Sequence, residues 1–421
     1  MVCKQLSFTL LIILIAFNSH SQSTPISSNL PGGNDKWKLV WQDDFNYSNG
    51  ELDKEWDAQN APNTHILCSR WRENAIVSDG TLKLMNKKEK RGGQDWTSAS
   101  IWTKKKFQYG YFECRYKYAA ANATNNSFWL MTQGGEPTDG KKFEIDINEG
   151  HYPNEVATNI HNWSDFFMVG DKKSHHSYSQ VFQFGNKPDY TVQLEIPITA
   201  KKIRLTSNNS KYFHLDELRV YGVNAKGYPK ALSETADNDV DGLVNFMRDN
   251  NTKIDVSGCY KEGDTFRKEN IADGKLAAHW VTQAAGEKWV EVTFNEPKKI
   301  GCVQIINGFK DKGIWTGFMS DYKLQYFDGK NWVEMSTFDI NNGNYNFSKE
   351  YHVYGLDWSK EELVFYFDGK EIRRVKNDFC FSPSPVWLSE AIISWSGSIK
   401  EEQLNGSAME VDYVRVYEKK N

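Results

Sequence analysis

Almost no stretch of this chain spaces its apolar residues at a helical period. Short alternating runs instead recur from Trp37 to Tyr417, closed by Gly, Asp, Asn or Pro, and alternation is the period of a strand. Asp79-Gly80, Asp328-Gly329 and Asp368-Gly369 sit between apolar runs as hairpin dipeptides. Only residues 239–250 carry a short helical pattern. The chain is therefore expected to be all-β, and closely spaced strands with turns imply packed sandwiches. A length of 421 residues predicts two units. The strand character that fades near residue 181 returns at 351–358, with a hairpin at 363–375 and a last strand at 409–417. Residues 37–180 and 341–421 are thus read as one sandwich, with 181–340 a smaller β-sandwich inserted into one of its loops, where insertion is tolerated.

The N-terminus has Lys4, an apolar run over 6–17 and Ser19-His20-Ser21, the pattern of a secretory signal peptide over residues 1–21. The run falls short of the ~20 residues of a membrane span, so no transmembrane segment is expected. The mature protein is expected to be secreted, periplasmic or on the cell surface. Residues 22–36, rich in Ser, Pro, Asn and Gly, read as a linker. Beyond the leader stand Cys68, Cys114, Cys259, Cys302 and Cys380 with no zinc-type spacing; a Cys259–Cys302 disulfide and buried free thiols both satisfy that set. A formal net charge of -4 suggests no nucleic-acid partner. Aromatic residues make up 14% of the chain, with 15 Trp, which makes sugar stacking a candidate use for some of them.

Residues 143–150 read Phe-Glu-Ile-Asp-Ile-Asn-Glu-Gly. On a strand Phe143, Ile145 and Ile147 face a core, and Glu144 and Asp146 face outward. Strict alternation would bury Glu149 unpaired, at a cost; a β-bulge at Ile147–Asn148 returns it to the acidic face. Glu144 and Glu149 then lie about four strand steps apart, ~13 Å between backbones, and leaning side chains close most of that gap. A retaining glycosidase needs two carboxyls ~5 to 5.5 Å apart, one to attack the anomeric carbon and one to protonate the leaving oxygen. Asp146 between them pushes their proton affinities apart.

This segment resembles the E-x-D-x-x-E hallmark of glycoside hydrolase family 16. The resemblance continues, in the family's order, at Trp41-Gln42-Asp43-Asp44-Phe45, at residues 97–102, at Gly110-Tyr111-Phe112-Glu113-Cys114-Arg115, at Phe128-Trp129-Leu130-Met131, at residues 351–358 and at 411–417. It implies a jelly-roll sandwich with a concave cleft and an endo-acting enzyme that cuts a polysaccharide with retention, Glu144 being the nucleophile, Asp146 the helper and Glu149 the acid/base. No Trp-Pro-Ala precedes Phe128-Trp129; the approach Asn122-Ala123-Thr124-Asn125-Asn126-Ser127 is similar to the galactan-cleaving members (agarases, porphyranases, carrageenases), as is 385–395 with Glu390 and Trp395. A red-algal-type galactan is the expected substrate. A β-1,3-glucan, or a protein that binds polysaccharide without cutting it, are the alternatives.

Alternation sends Phe128 and Leu130 to the core and Trp129 to the cleft, and puts Asn159, His161 and Trp163 on one face. His161 matches a cleft histidine of the galactanase-like members. Arg70, Trp71 and Arg72 are read as candidates for a sulfated or anionic sugar, and Glu390 as a cleft residue. Within the insert, Ile271-Ala272-Asp273-Gly274, His279-Trp280, Trp289-Val290-Glu291-Val292, Ile300-Gly301-Cys302-Val303 and residues 322–326 resemble the first half of a discoidin-type (coagulation factor 5/8 C-terminal) module. Residues 191–196, 200–205 and 215–221 resemble its closing strands. Those closing strands come first, so the module is expected to be circularly permuted, its ends being close enough to allow it. Such modules hold sugar through loops. No cofactor is expected; the resemblance allows a structural calcium near the Asp273-Gly274 turn, for which the sequence offers only one anchor.

Overall fold

Two eight-stranded antiparallel sheets face each other in the computed structural model, which describes residues 30–420 apart from 134–139, 210, 231, 262–264, 277 and 344. The expected leader and the first part of the linker lie outside the described residues. One sheet runs Lys370–Lys376, Glu362–Phe367, His352–Trp358, Gly110–Lys117, Ala408–Lys419, Thr81–Met85, Ala75–Ser78, with Trp37–Asp43 on Ala408–Lys419. The other runs Lys172–Ser177, Glu155–Val169, Phe143–His151, Thr124–Met131, Ser384–Ile392, Ser100–Phe107, Trp56–Ala58, with Gln180–Gln183 on Glu155–Val169. Their inner faces share one core, to which Phe128, Leu130, Phe143, Ile145 and Ile147 contribute from the second sheet and Phe112, Leu356, Val414 and Val416 from the first. Two hairpins turn on Asp79-Gly80 and Asp368-Gly369, where both residues have positive φ, as the turn matched to strand twist requires.

The insert is built on two long strands, Asp189–Ser207 and Lys288–Asn307, which pair with each other at both ends. Near Ile300–Asn307 the second also pairs His214–Gly222; near Val290–Thr293 it pairs Lys253–Val256, while Asp189–Ser207 pairs Asp321–Phe327. The two ends thus belong to the two layers of a small sandwich around Leu205, Leu218, Val220, Trp280, Val292, Ile305 and Leu324. The early segment at 191–221 and the later one at 289–326 share this sheet and core, as a permuted module requires. Gln180–Gln183 still pairs the main sandwich, so by strand pairing the insert begins after Phe184 rather than at Val181.

One further expectation is corrected, and one of two readings is chosen. Residues 239–250 hold only a 3-10 turn, Phe246–Arg248, which begins at its N-cap Asn245, where the side chain accepts from the Met247 N–H. The described cysteines, Cys259 and Cys302 included, are free thiols. No helix among the described residues is long and apolar enough to cross a membrane.

The residues around Asp273-Gly274 do not suit a calcium ion. Glu217, the carboxylate nearest that turn, accepts from Arg219 Nε at 2.6 Å, from Arg248 at 3.0 and 3.1 Å, and from the Gly274 N–H at 2.5 Å. Arg248 also donates to the Ala272 carbonyl at 2.6 Å and to Asp237 at 2.7 Å. A guanidinium therefore takes up the oxygens that a cation would need. Asp216 beside it is pushed up to about 8 by burial and by Glu217.

Insert and main sandwich meet beyond the end of the acidic strand. The Phe318 N–H donates to Gln183 at 2.9 Å. Lys211 reaches Glu155 at 3.4 Å. Burial would raise the Glu155 carboxyl, but Lys211 and His151 outweigh it and hold the group well below its usual range.

Candidate active site

The strand Phe143–His151 lies inside the second sheet, between Thr124–Met131 and Glu155–Val169. Against one neighbour Phe128 faces Asn148 but Trp129 faces Asp146; against the other Asp146 faces Asn159 and Glu149 faces Ala157. One extra residue is thus absorbed at Ile147–Asn148 on both sides, where the acidic pattern demands it. Ile147 and Asn148 both turn inward: Ile147 joins the core, and Asn148 donates to Tyr116 OH at 2.6 Å and Tyr118 OH at 2.8 Å. Those hydroxyls satisfy the amide nitrogen that the bulge buries. Gly150 follows because a Cβ there would lie 2.3 Å from the Tyr118 ring.

Glu144, Asp146 and Glu149 therefore line one cleft, together with Arg70, Asn125, Ser127, Trp129, Ser389 and Trp395. Trp163 Nε1 donates to Glu144 Oε2 at 2.9 Å, and Asn125 Nδ2 donates to Glu149 Oε1 at 2.8 Å. His161 Nε2 lies 3.2 Å from Asp146 Oδ2, at ion-pair range but off the line of a hydrogen bond, since that oxygen has no aligned donor. Burial first, then Asp146, pushes the Glu144 carboxyl up to about 8 against the pull of His161 and Trp163. Asp146 is raised well above its ordinary value by burial and by Glu149, and its bond to Glu144 works the other way. Two adjacent buried carboxyls share a proton. We assign it to Asp146, the more deeply buried of the two, from where it hydrogen-bonds Glu144 and leaves that group ionised.

A strip of tryptophans leads away from the trio across the strands. Trp129 faces Trp387, and Trp387 faces Trp102, in register; the ring centroids are 4.7 and 4.4 Å apart. On the other side of the trio lie Asn159, His161 and Trp163, and then His175, whose ring stacks on Trp163 at 3.7 Å. The row crosses the sheet at right angles to its strands, with the carboxyls inside it. Trp387, Trp102, Asn125 and His175 were not among the sequence candidates. The parity of Trp387 with Ser389, and of Asn125 with Ser127 and Trp129, carries the signal for two of them.

Three expected cleft residues lie elsewhere. Glu390 is buried on the inner side of its strand, opposite Asn126, because Trp387 and Ser389 take the outer side. It accepts from Asn86 at 3.2 Å, and burial raises its carboxyl well above the ordinary value. Arg72 is spent on structure, donating to Asp53 at 2.5 Å, the Ala75 carbonyl at 2.6 Å and the Asn49 carbonyl at 3.0 Å. Trp71 donates to Ser69 Oγ at 2.8 Å and is covered by the Arg91 guanidinium 3.7 Å from its ring. Arg70 is the member of that triplet in the cleft, and its side chain has no hydrogen-bond or ion-pair partner among the described residues.

The model of F5/8 type C domains matches residues 253–357, and that of glycosyl hydrolases family 16 matches 63–193 and 324–415. The two overlap at 324–357, where strand pairing separates them: Asp321–Phe327 and Trp332–Asp339 belong to the insert and His352–Trp358 to the main sandwich. A beta-glucanase of Rhodothermus marinus is 30% identical over 154 residues, 32% of this chain and 52% of that protein. A beta-glucanase of Fibrobacter succinogenes is 39% identical over 69 residues, 16% of this chain and 20% of that protein. The chain thus spans about half, or less, of the length of these curated relatives. The solved laminarinase catalytic domain from Thermotoga maritima aligns over 92% of this chain and 100% of that chain at 15% identity, with a TM-score of 0.44. The family 16 matches cover more than half of the chain, and the chain belongs to glycosyl hydrolases family 16.

Proposed function

We propose that this chain is an endo-acting retaining β-glycosidase that cuts a polysaccharide by double displacement. The observation that carries this reading is the row across the sheet, with three carboxyls inside it and aromatic or polar side chains on both sides. A cleft open on both sides of its catalytic groups suits cutting within a chain.

In the first step the Glu144 carboxylate attacks the anomeric carbon, the bond to the leaving oxygen breaks, and Glu149 gives that oxygen its proton. Asp146 keeps a proton and a hydrogen bond on Glu144, so that the two carboxyls do not both carry charge. In the second step water attacks the same carbon, its proton passes to Glu149, and Glu144 is released. Trp129 offers its face to a sugar beside the trio. Trp129→Ala is expected to weaken substrate binding about tenfold, ~1.4 kcal/mol for one lost aromatic platform, read as a rise in KM with the fold intact by circular dichroism.

For the substrate we assign a galactan of red-algal type. Asn125 on Glu149, His161 beside Asp146 and the unpaired Arg70 support it, because Arg offers a fork to an anionic substituent. A β-1,3(4)-glucan is the second reading, favoured by the relatives named beta-glucanase. Export through the leader at 1–21 completes the proposal, since polymers of this kind lie outside the cell. Reducing-end release on agarose, porphyran, κ-carrageenan and laminarin decides among these readings. New ends from a galactan and none from laminarin are expected. Activity confined to laminarin transfers the assignment to glucan, and no new ends on any polymer leaves the non-catalytic binder.

A further inference from the structure

Asp146 is only 3% exposed, and its Oδ2 has no hydrogen-bond partner among the described residues. Nε2 of His161 stands 3.2 Å from that oxygen, with no hydrogen in line between them. Glu144, on the same strand as Asp146, completes a set of three ligand atoms within 4.8 Å of one another. Two carboxylates and an imidazole are ligands of zinc and similar transition ions. Calcium and magnesium take oxygen instead.

The inner pair has the spacing of two atoms on one ion. Atoms each ~2.1 Å from a cation stand ~3.0 Å apart at a right angle and ~3.4 Å apart at the tetrahedral angle. His161 Nε2 and Asp146 Oδ2, at 3.2 Å, fall between these limits. An ion shared by two atoms sits off the line that joins them, so the ring lone pair does not have to point at the oxygen, as a hydrogen bond would require. Two such bonds span at most ~4.2 Å, so a set within 4.8 Å closes on one ion with a shift of about 0.6 Å at most.

The outer partners are in place as well. Nδ1 of His161 is 2.7 Å from Nε2 of His175. With its proton on Nδ1, His161 donates to that ring and keeps a free lone pair on Nε2. Metal-bound imidazoles hold their second N–H in this way, which fixes tautomer and ring direction. The His175 ring stacks on Trp163, and Trp163 Nε1 donates to Glu144 Oε2.

We propose that Glu144, Asp146 and His161 form an inhibitory site for a divalent transition ion such as zinc, with His175 as the outer partner of His161. Inhibition rests on the double displacement proposed above, because an ion on Glu144 takes up the lone pair that must attack the anomeric carbon. The proton that Asp146 and Glu144 share leaves to solvent as the ion enters, and the dication then faces two carboxylates.

The test uses the full chain and zinc alone. Calorimetric titration is expected to show a saturable site that magnesium and calcium do not fill. Nitrogen-15 spectroscopy of the histidine rings, which needs no turnover, should move the His161 Nε2 signal along the same isotherm. At zinc ten times its dissociation constant, polymer cutting should fall about elevenfold by mass action, and a chelator should restore it. His161→Gln removes the imidazole ligand and should lose the isotherm. His175→Phe leaves all three ligands and should weaken zinc roughly 10–100-fold, the scale on which an outer partner acts. Zinc that binds either variant as tightly as wild type overturns the proposal. So does an isotherm that leaves the wild-type His161 signal in place, a measurement that stands even where a variant fails to fold, or a zinc-saturated enzyme that cuts at the full rate. A wild-type protein that cuts no polymer without zinc sinks the proposed function instead, while the isotherm and the His161 signal still decide whether the site takes the ion.

Discussion

Glu144→Gln is expected to lower the rate of new reducing-end formation by roughly 10⁴-fold or more, the scale on which removing a nucleophile acts. The amide keeps the size of the side chain and still accepts from Trp163 at its oxygen, so the cleft stays formed and substrate still binds. What it loses is the negative charge that must attack the anomeric carbon. Glu149→Gln is expected to fail differently. Its loss falls on the polymer, whose leaving oxygen needs a proton, and not on an aryl glycoside whose leaving group departs without one. The measurement is therefore a pair of rates, polymer and activated glycoside, for each variant. Glu144→Gln should lose both, and Glu149→Gln should keep formation of the glycosyl-enzyme from the activated substrate. A Glu144→Gln protein with wild-type activity on either substrate would remove the nucleophile role. The opposite pattern, with Glu149→Gln silent on the activated substrate, would exchange the two assignments.

The acidic strand was legible in the sequence because two independent constraints met on it. Three apolar residues needed one face, three carboxyls needed the other, and only an extra residue at Ile147–Asn148 satisfies both. The strand pairing shows that extra residue against both neighbours. Trp129, His161 and Trp163 followed from the same period of two. The readings went astray where that period does not act. Arg70, Trp71 and Arg72 lie on a two-residue strand that runs into a 3-10 turn, so alternation does not tell which of them looks into the cleft; the ladder to residues 97–98 decides it. Glu390 was linked to Trp395, but the strand ends at Ile392, and parity carries only along one strand. Parity with Trp387 would have placed Glu390 inside. His175 is beyond sequence reasoning of this kind: it reaches the cleft because the register slips between Asn162 and Phe166, and nothing in Ser174-His175-His176 marks one ring over the other. The strands of the insert were legible because they carry their own signatures, and the early and the later ones share one sheet. The edge of the insert was not, because Gln180–Gln183 is as strand-like as the first strand of the insert.

In the insert the largest effect on stability is expected from Glu217→Leu. Glu217 and Arg219 are both fully buried, and Arg219 Nη2 already lacks a partner. Removing the carboxylate leaves the Arg219 charge buried and uncompensated, which costs about 3–5 kcal/mol. Arg248 suffers less, since it is partly exposed and keeps Asp237 and the Ala272 carbonyl. Two sandwiches with separate cores need not melt together, so the insert's own thermal transition is the quantity to follow. At about 2–4 °C per kcal/mol for a unit of this size, it should fall by roughly 10 °C, with the transition of the main sandwich little moved. Glu217→Leu combined with Arg219→Met should recover most of the loss, because a buried pair replaced on both sides by apolar groups is close to neutral. Calcium bears on the same point: the guanidinium of Arg248 occupies the oxygens near Asp273-Gly274, so neither added calcium nor a chelator should move the wild-type midpoint. A wild-type insert that melts lower in chelator would show that a cation, and not Arg248, neutralises Glu217, and the arithmetic for Glu217→Leu would fall with it.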